Sequence, residues 1–201
     1  MIKPLFIFLK MRFKLLIFIL FISLLSCSES EYSRLVRTEM AKGIIHDSLF
    51  LGMKLGQTQK EFFDKCWKLN NKGIVAQGPS NKFVEYKLPI KEGDGIKHTI
   101  TMLFYGIFNE DKIMTGMKMQ FSYDAWSLWS KSLQSDQLIP VVKDSLKTWF
   151  PGNEFLKVEM EKDKAELFVK IDGNRRVTIK PLDEAKIVKA QIDDLRYILD
   201  E

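Results

Sequence analysis

The sequence predicts an α+β protein: two tandem helix-plus-four-stranded antiparallel meander units behind an N-terminal export leader. Three observations carry this. The first 26 residues hold 19 apolar residues, four basic ones (Lys3, Lys10, Arg12, Lys14) and no acid, unlike anything after them. A Thr-x-x-Glu start at Thr58 opens a helical apolar pattern that gives way to alternating strands. After Tyr123 the order of helix then strands begins again, and Lys112-Ile113 and Lys186-Ile187 open the fourth strand of each run.

The leader also carries the charge. The chain has 31 Lys and Arg against 26 Asp and Glu, a formal +5, and four of those cations lie in the leader, so the body is close to neutral. Nucleic-acid-binding domains keep a basic excess in the folded body, because neutralising phosphate drives their binding. No nucleic-acid partner is expected. Residues 1–26 read as a signal peptide: a basic start, an apolar run from Leu15 to Leu25 broken only by Ser23, then a small residue and polar Ser28-Glu29-Ser30-Glu31. That run, at about 1.5 Å per residue, covers roughly half of a bilayer's hydrocarbon, too little for a permanent span. Met11-Arg12-Phe13-Lys14 alone makes an equally compact basic start, so Met1 and Met11 give the same address.

Leu24-Leu25-Ser26-Cys27 resembles the bacterial lipobox, whose Cys is thioether-linked to diacylglycerol and becomes the new N-terminus. The resemblance implies a lipoprotein signal peptide over 1–26 and lipidation at Cys27; the residues themselves leave a plain signal peptide or a buried apolar end open. Acyl chains, each contributing about 0.8 kcal/mol per buried methylene, would hold the protein on a membrane without a spanning helix. Ser28 and the acids beside it point to the outer rather than the inner membrane of a cell envelope. With Cys27 lipidated, Cys66 has no disulfide partner, and the fold depends on its core.

The elements follow in order. Residues 27–42 are polar and read as a tether, helical near Glu31 to Ala41. The first unit, 43–123, opens with Ile44, Ile45, Leu49, Phe50 and Leu51 as a strand or staple. Thr58 and Glu61 form a capping box before Phe62, Phe63, Cys66, Trp67 and Leu69 at helical spacing, and Asn70-Asn71-Lys72-Gly73 ends the helix. Ile74 to Gln77 is a short strand. Val84, Tyr86, Leu88 and Ile90 alternate with polar residues, a turn follows at Lys91 to Gly95, and His98 to Phe108 is the next strand. In Ile113 to Tyr123, Met117, Met119, Phe121 and Tyr123 share one face. The second unit, 124–201, starts with a helical stretch capped by Asp124 and carrying Trp126, Leu128, Trp129 and Leu133. A second helix from Ser135 takes Pro140 in its first turn and aligns Leu138, Val142, Leu146 and Trp149. Strands are expected at Phe155 to Met160, Ala165 to Ile171, Arg175 to Leu182 and Lys186 to Ile192, with Asp172-Gly173-Asn174 as a hairpin turn. Asp183 to Leu199 also fits a helix. Alternation places Tyr86, Met119, Val169 and Ile179 inside and Glu85, Lys118, Lys170 and Lys180 outside.

Little chemistry converges. His46 and His98 have no metal-ligand spacing, and no Walker loop, dinucleotide fingerprint or nucleophile elbow occurs, so neither a metal nor a cofactor is expected. Cys66 lies on an apolar helix face and reads as a small core residue. The tryptophans Trp67, Trp126, Trp129 and Trp149 read as core, except that the i,i+3 pair Trp126 and Trp129 near a helix start offers one ring to a partner. Arg175 and Arg176 point to opposite faces of a strand beside a solvated hairpin tip; one aimed at a concave face would grip a carboxylate or phosphate.

Gly52 to Gly73, Gln77-Gly78 through Tyr86-Lys87-Leu88, Phe121-Ser122-Tyr123-Asp124-Ala125-Trp126 and Asp172-Gly173-Asn174-Arg175-Arg176 together resemble a group of Bacteroidota lipoproteins to which the resemblance attaches no activity. Lys54-Leu55-Gly56-Gln57-Thr58-Gln59-Lys60-Glu61-Phe62 is similar to the Gly-Met-Thr-x-x-Glu-Val helix opening of outer-membrane assembly lipoproteins related to the β-lactamase-inhibitor-protein fold. That likeness implies a helix packed on a small antiparallel sheet, often in tandem. The Leu-Gly-x-Pro that follows the helix in that group is replaced here by Asn70-Asn71-Lys72-Gly73. The functional expectation is a membrane-anchored, non-enzymatic module that binds another envelope protein, with Trp126, Trp129, Arg175 and Arg176 as candidate contacts. The alternative is an envelope hydrolase or carbohydrate-binding accessory.

Overall fold

The computed structural model describes residues 29–89, 98–159, 166–180 and 183–198. The leader 1–26, Cys27, Ile90, the turn at Lys91 to Gly95 and the expected strand ends at Met160, Ala165 and Leu182 lie outside the described residues. The chain divides into two units, Met1–Arg34 and Leu35–Glu201. In the first, the Ser30 hydroxyl accepts the Ser33 N–H at 3.0 Å, an N-cap that starts helix α1 (Glu31–Ala41). All that follows concerns the second.

Its strands are β1 (Ala76–Gln77), β2 (Val84–Lys87), β3 (Ile100–Phe108), β4 (Met114–Tyr123), β5 (Leu156–Glu159), β6 (Glu166–Asp172), β7 (Arg175–Ile179) and β8 (Val188–Asp194). They form one antiparallel sheet in the order β1-β2-β3-β4-β8-β7-β6-β5. Each run of four is a meander, and the two meet where β4 pairs with β8, Met117 opposite Ile192 and Met119 opposite Ala190. The two-residue β1 and the four-residue β5 therefore form the edges.

One face of the sheet is the core. Met102, Phe104, Met117, Met119, Phe121, Val177, Ile179, Val188 and Ile192 are each at most 1% exposed. Helix α3 (Ser135–Trp149) lies across β4 and β8 and buries the predicted stripe of Leu138, Val142 and Leu146. Pro140 falls in the second turn of α3 instead of the first, where its missing N–H removes one intrahelical hydrogen bond. Phe50 stacks on Trp149 at 5.3 Å and meets Phe104 edge-on at 4.9 Å, so this aromatic group closes the core beside α3. Ile44 and Ile45 are instead 51% and 57% exposed. The opposite face is open: Thr101, Lys118, Gln120, Ser122, Thr178 and Gln191 are half-exposed across four adjacent strands.

Two expectations are corrected. Residues 124–130 form turns, followed by a short 3-10 helix at Lys131–Leu133, so Trp126 and Trp129 share no α-helix. Strand β6 is turned over: Lys170 pairs with Val177 and shares its core face, at 1% exposure, whereas Val169 pairs with Thr178 on the other face. The β6–β7 hairpin closes through a two-residue turn, Gly173-Asn174, with Asp172 opposite Arg175. That closure fixes the register, and a slip of one residue exchanges the faces of a strand. Val169 and Ile171 are nevertheless covered, so this end of the sheet is buried on both faces. The described part of the stretch expected from Asp183 to Leu199 holds β8 and a single helical turn, α4 (Leu195–Ile198).

Candidate functional site

Helix α2 (Gln59–Asn71) begins at the predicted capping box: Thr58 Oγ1 accepts the Glu61 N–H at 3.2 Å, and Glu61 accepts the Thr58 N–H at 2.7 Å. Phe62, Cys66 and Leu69 recur at i, i+4 and i+7 and are buried. The adjacent stripe is not. Phe63 is 57% exposed and Trp67 68%, which corrects the core reading of Trp67. These two side chains form one wall of an open groove of about 630 Å³ between α2 and the β1–β3 end of the sheet. Phe83, Val84, Tyr105 and Phe108 supply the other wall. Phe62 and Phe108 meet edge-on at 5.6 Å, as do Phe83 and Tyr105 at 5.2 Å.

The lining of this groove is mostly apolar. Its lining carries one carboxylate, Asp64, and one ammonium, Lys82. Asp64 is engaged by Lys60 at 2.7 Å. Cys66 lines it as well, but burial pushes the thiol up to about 11, so no nucleophilic thiolate forms near neutral pH. Six aromatic rings surround a space that carries only those two charged side chains. Among the described residues no group of His, Cys, Asp and Glu is placed to hold a metal, and no helix is long and apolar enough to cross a membrane.

The residues singled out from the sequence lie elsewhere. Trp126 is half-buried; its indole N–H donates to the Ala185 carbonyl at 3.1 Å, and Lys186 sits 5.7 Å from its ring. Trp129 is 89% exposed and Leu128 66%. The turn that presents them is fixed from beneath, because the Gln134 amide donates to the carbonyls of Ser127 at 3.0 Å and Ser130 at 3.1 Å.

Arg175 and Arg176 do point to opposite faces, but the hairpin tip is buried, not solvated. Arg175 is 4% exposed, lies 4.8 Å over the Phe150 ring, and donates to the Ser48 carbonyl at 3.2 Å. Burial lowers its pKa, an effect that Asp172 opposes. Its Nε has no hydrogen-bond partner. Arg176 grips Asp193 through Nε at 3.1 Å and a terminal nitrogen at 2.9 Å. Both guanidiniums are thus engaged within the chain. Around them, Lys170 and Arg175 flank Asp172, Asn174 and Arg196 hold Asp194, and Glu39 at the end of α1 accepts from Asn153 at 2.8 Å and from the Gly173 N–H at 3.2 Å. Cations and carboxylates alternate through this cluster, as a buried ionic network requires. It ties the last turn of α1 to the hairpin. His46 and His98 stand in separate segments, His98 exposed at the approach to β3.

No family model, curated protein or solved structure matches the chain.

Proposed function

We propose that this protein is a lipid-anchored, non-enzymatic protein-binding module of the cell envelope, and that the groove between α2 and β3 is where it takes apolar side chains of a protein partner. The observation that carries the reading is the exposed Phe63–Trp67 stripe over a space lined by six aromatic residues and only two charges. Large exposed aromatics are costly in water, and they become anchors when a partner covers them. Burial that pushes the Cys66 thiol up to about 11 argues against nucleophilic chemistry by that group. The address rests on the leader and on the lipobox-like Leu-Leu-Ser-Cys ending at Cys27. The resemblance to Bacteroidota lipoproteins agrees with it, and the outer membrane is the favoured site. In the same reading the two helix-then-meander runs are tandem copies of one unit, each keeping its fourth strand for the joint with the other.

Two experiments test this. A photoreactive phenylalanine at position 63 of the full chain, irradiated in intact envelopes, should give protein adducts that Trp67→Ser removes. Lipid adducts alone, or adducts unchanged by Trp67→Ser, would refute the groove. Cys27→Ser should abolish labelling by radioactive palmitate and leave unprocessed precursor. Equal labelling of the variant would refute the anchor.

A further inference from the structure

We infer that the protein that docks in the aromatic groove carries an acidic segment beside its apolar side chains, and that Lys54, Lys65 and Lys68 take the carboxylates of that segment. The inference deepens the reading of the groove as a protein-docking surface and rests on it. Helix α2 stands as a ridge between two depressions. The aromatic groove lies on one flank; on the other is a smaller open cleft of about 310 Å³, which α2 forms with the segment around Gly52, Lys54 and Gln57. Asp64 lines both, so the two adjoin across the width of the helix. A segment that crosses the ridge meets aromatic rings on one side and lysines on the other.

The carboxylates of the cleft are already used. Glu61 caps α2 by accepting from Thr58, and Asp64 is held by Lys60 at 2.7 Å. Lys54 and Lys68 are exposed and Lys65 half-exposed, and none of the three has an ion-pair partner among the described residues. The floor of the cleft is the bare backbone of Gly52, where the Lys65 ammonium rests 3.0 Å from the place a Cβ would occupy. Lys65, Lys68 and Lys72 follow one another at spacings of three and four, and like charges so placed work against the helix that bears them. The negative end of the helix dipole accounts for Lys68 and Lys72. It does not account for Lys65, a turn earlier, or for Lys54, which comes from another segment.

Charge also identifies the class of partner. Residues 54–82 hold six lysines and two carboxylates, in a body that past residue 26 is otherwise net acidic. A nucleic acid or an anionic bilayer spreads its charge over a surface far wider than α2 and would meet that acidic remainder as repulsion. A bilayer is also too flat to fill a groove recessed between a helix and a sheet. A polypeptide segment satisfies both depressions, with apolar anchors for the apolar centre and carboxylates for the charged rim. Rim pairs of this kind speed encounter and set orientation, so the association is fast and weakened by salt.

The test uses the full chain in isolated envelopes. The photoreactive phenylalanine at position 63 reports the groove, and a carbodiimide, which joins an amine to a carboxylate as an amide, reports the cleft. Peptide mapping should find Lys54, Lys65 or Lys68 joined to Asp or Glu of the same protein that position 63 captures. With the probe in place, Lys65→Gln/Lys68→Gln should lower the adduct yield about tenfold at low salt and lose most of the salt dependence of the wild type. Lys131→Gln/Lys186→Gln removes the same charge away from α2 and should stay within about twofold of wild type. Circular dichroism checks that both variants keep the fold. Protein adducts at position 63 without a carboxylate link from the cleft to that protein, or equal yields from the two double variants, overturn the acidic segment and leave the groove reading in place. Lipid adducts alone at position 63 overturn both.

Discussion

Asp172→Ala and Lys170→Met form a matched pair of perturbations of the network beneath the β6–β7 hairpin. Asp172 accepts the Asn153 N–H at 2.7 Å, the Lys170 ammonium at 2.5 Å, and lies 3.6 Å from Arg175. The side chains of the triad are 1–5% exposed. Removing the carboxylate leaves two cations without their shared counter-charge in a site that water does not reach, which costs about 3–5 kcal/mol. At roughly 2–4 °C per kcal/mol for a chain of this size, the melting temperature should fall by about 6–20 °C. Lys170→Met acts on the other side of the balance. It deletes one of the two cations, keeps most of the stem volume against Val177, and leaves Asp172 with Arg175 and the Asn153 N–H, so it should stay within about 1 kcal/mol of wild type. Urea denaturation followed by near-ultraviolet circular dichroism reads both. Equal losses in the two variants, or a loss below about 1 kcal/mol for Asp172→Ala, would refute the assignment of Asp172 as the shared counter-ion.

Three further outcomes are expected. Gly173→Ala should cost at least about 2 kcal/mol, since Gly173 has φ = 54° and a Cβ there would collide with the Ile44 carbonyl; a variant as stable as wild type in the same denaturation would contradict the turn geometry. Burial raises the Glu39 pKa, but hydrogen bonds from Lys42, Gly173 and Asn153 outweigh it and bring the group below its ordinary 4.5. The stability Glu39 adds is thus complete above about pH 4.5 and drains away as the pH falls through the lowered value, so the gap in urea midpoint between wild type and Glu39→Gln should narrow on acidification from pH 7 to about 3.5; a gap that widens would reverse the sign. Finally, Cys66 should resist a disulfide reagent at about pH 8 in the native protein and react at once in urea, because its thiol is held near 11; rapid native labelling would mean the helix face opens.

Local rules were readable wherever neighbouring residues settle the structure. The capping box at Thr58 and Glu61, the alternation of Met117, Met119, Phe121 and Tyr123, and the stripe Leu138, Val142 and Leu146 all lie where their periodicities put them. Asp172-Gly173-Asn174 marked a turn, but the side-chain faces of β6 depend on whether the loop has two residues or three, and composition does not count them. Trp126, Leu128 and Trp129 have helical spacing, yet the Ser127 hydroxyl accepts the Trp129 N–H and the Gln134 amide donates to the Ser127 and Ser130 carbonyls, and the turn prevails. The groove left a trace: Phe62-Phe63 and Cys66-Trp67 make an apolar arc wider than one sheet contact can cover. A wide arc says that something must pack there; only the fold shows that the sheet, through Phe108, covers Phe62 and leaves most of Phe63 and Trp67 exposed.

The joint between β4 and β8 bears on how the chain comes together as it is made. β4 ends at Tyr123, but its pairing partner begins at Val188, close to the C-terminus. Until that last strand arrives, the longest strand of the sheet has an open hydrogen-bonding edge, and the core beneath α3 lacks Val188, Ala190 and Ile192. A chain made only through β7 therefore lacks the strand that joins its two meanders. Pairing across such a sequence distance is slow, because loop-closure entropy is lost before the contact is gained. Late arrival of β8 thus keeps the β4 edge open until the second meander is in place.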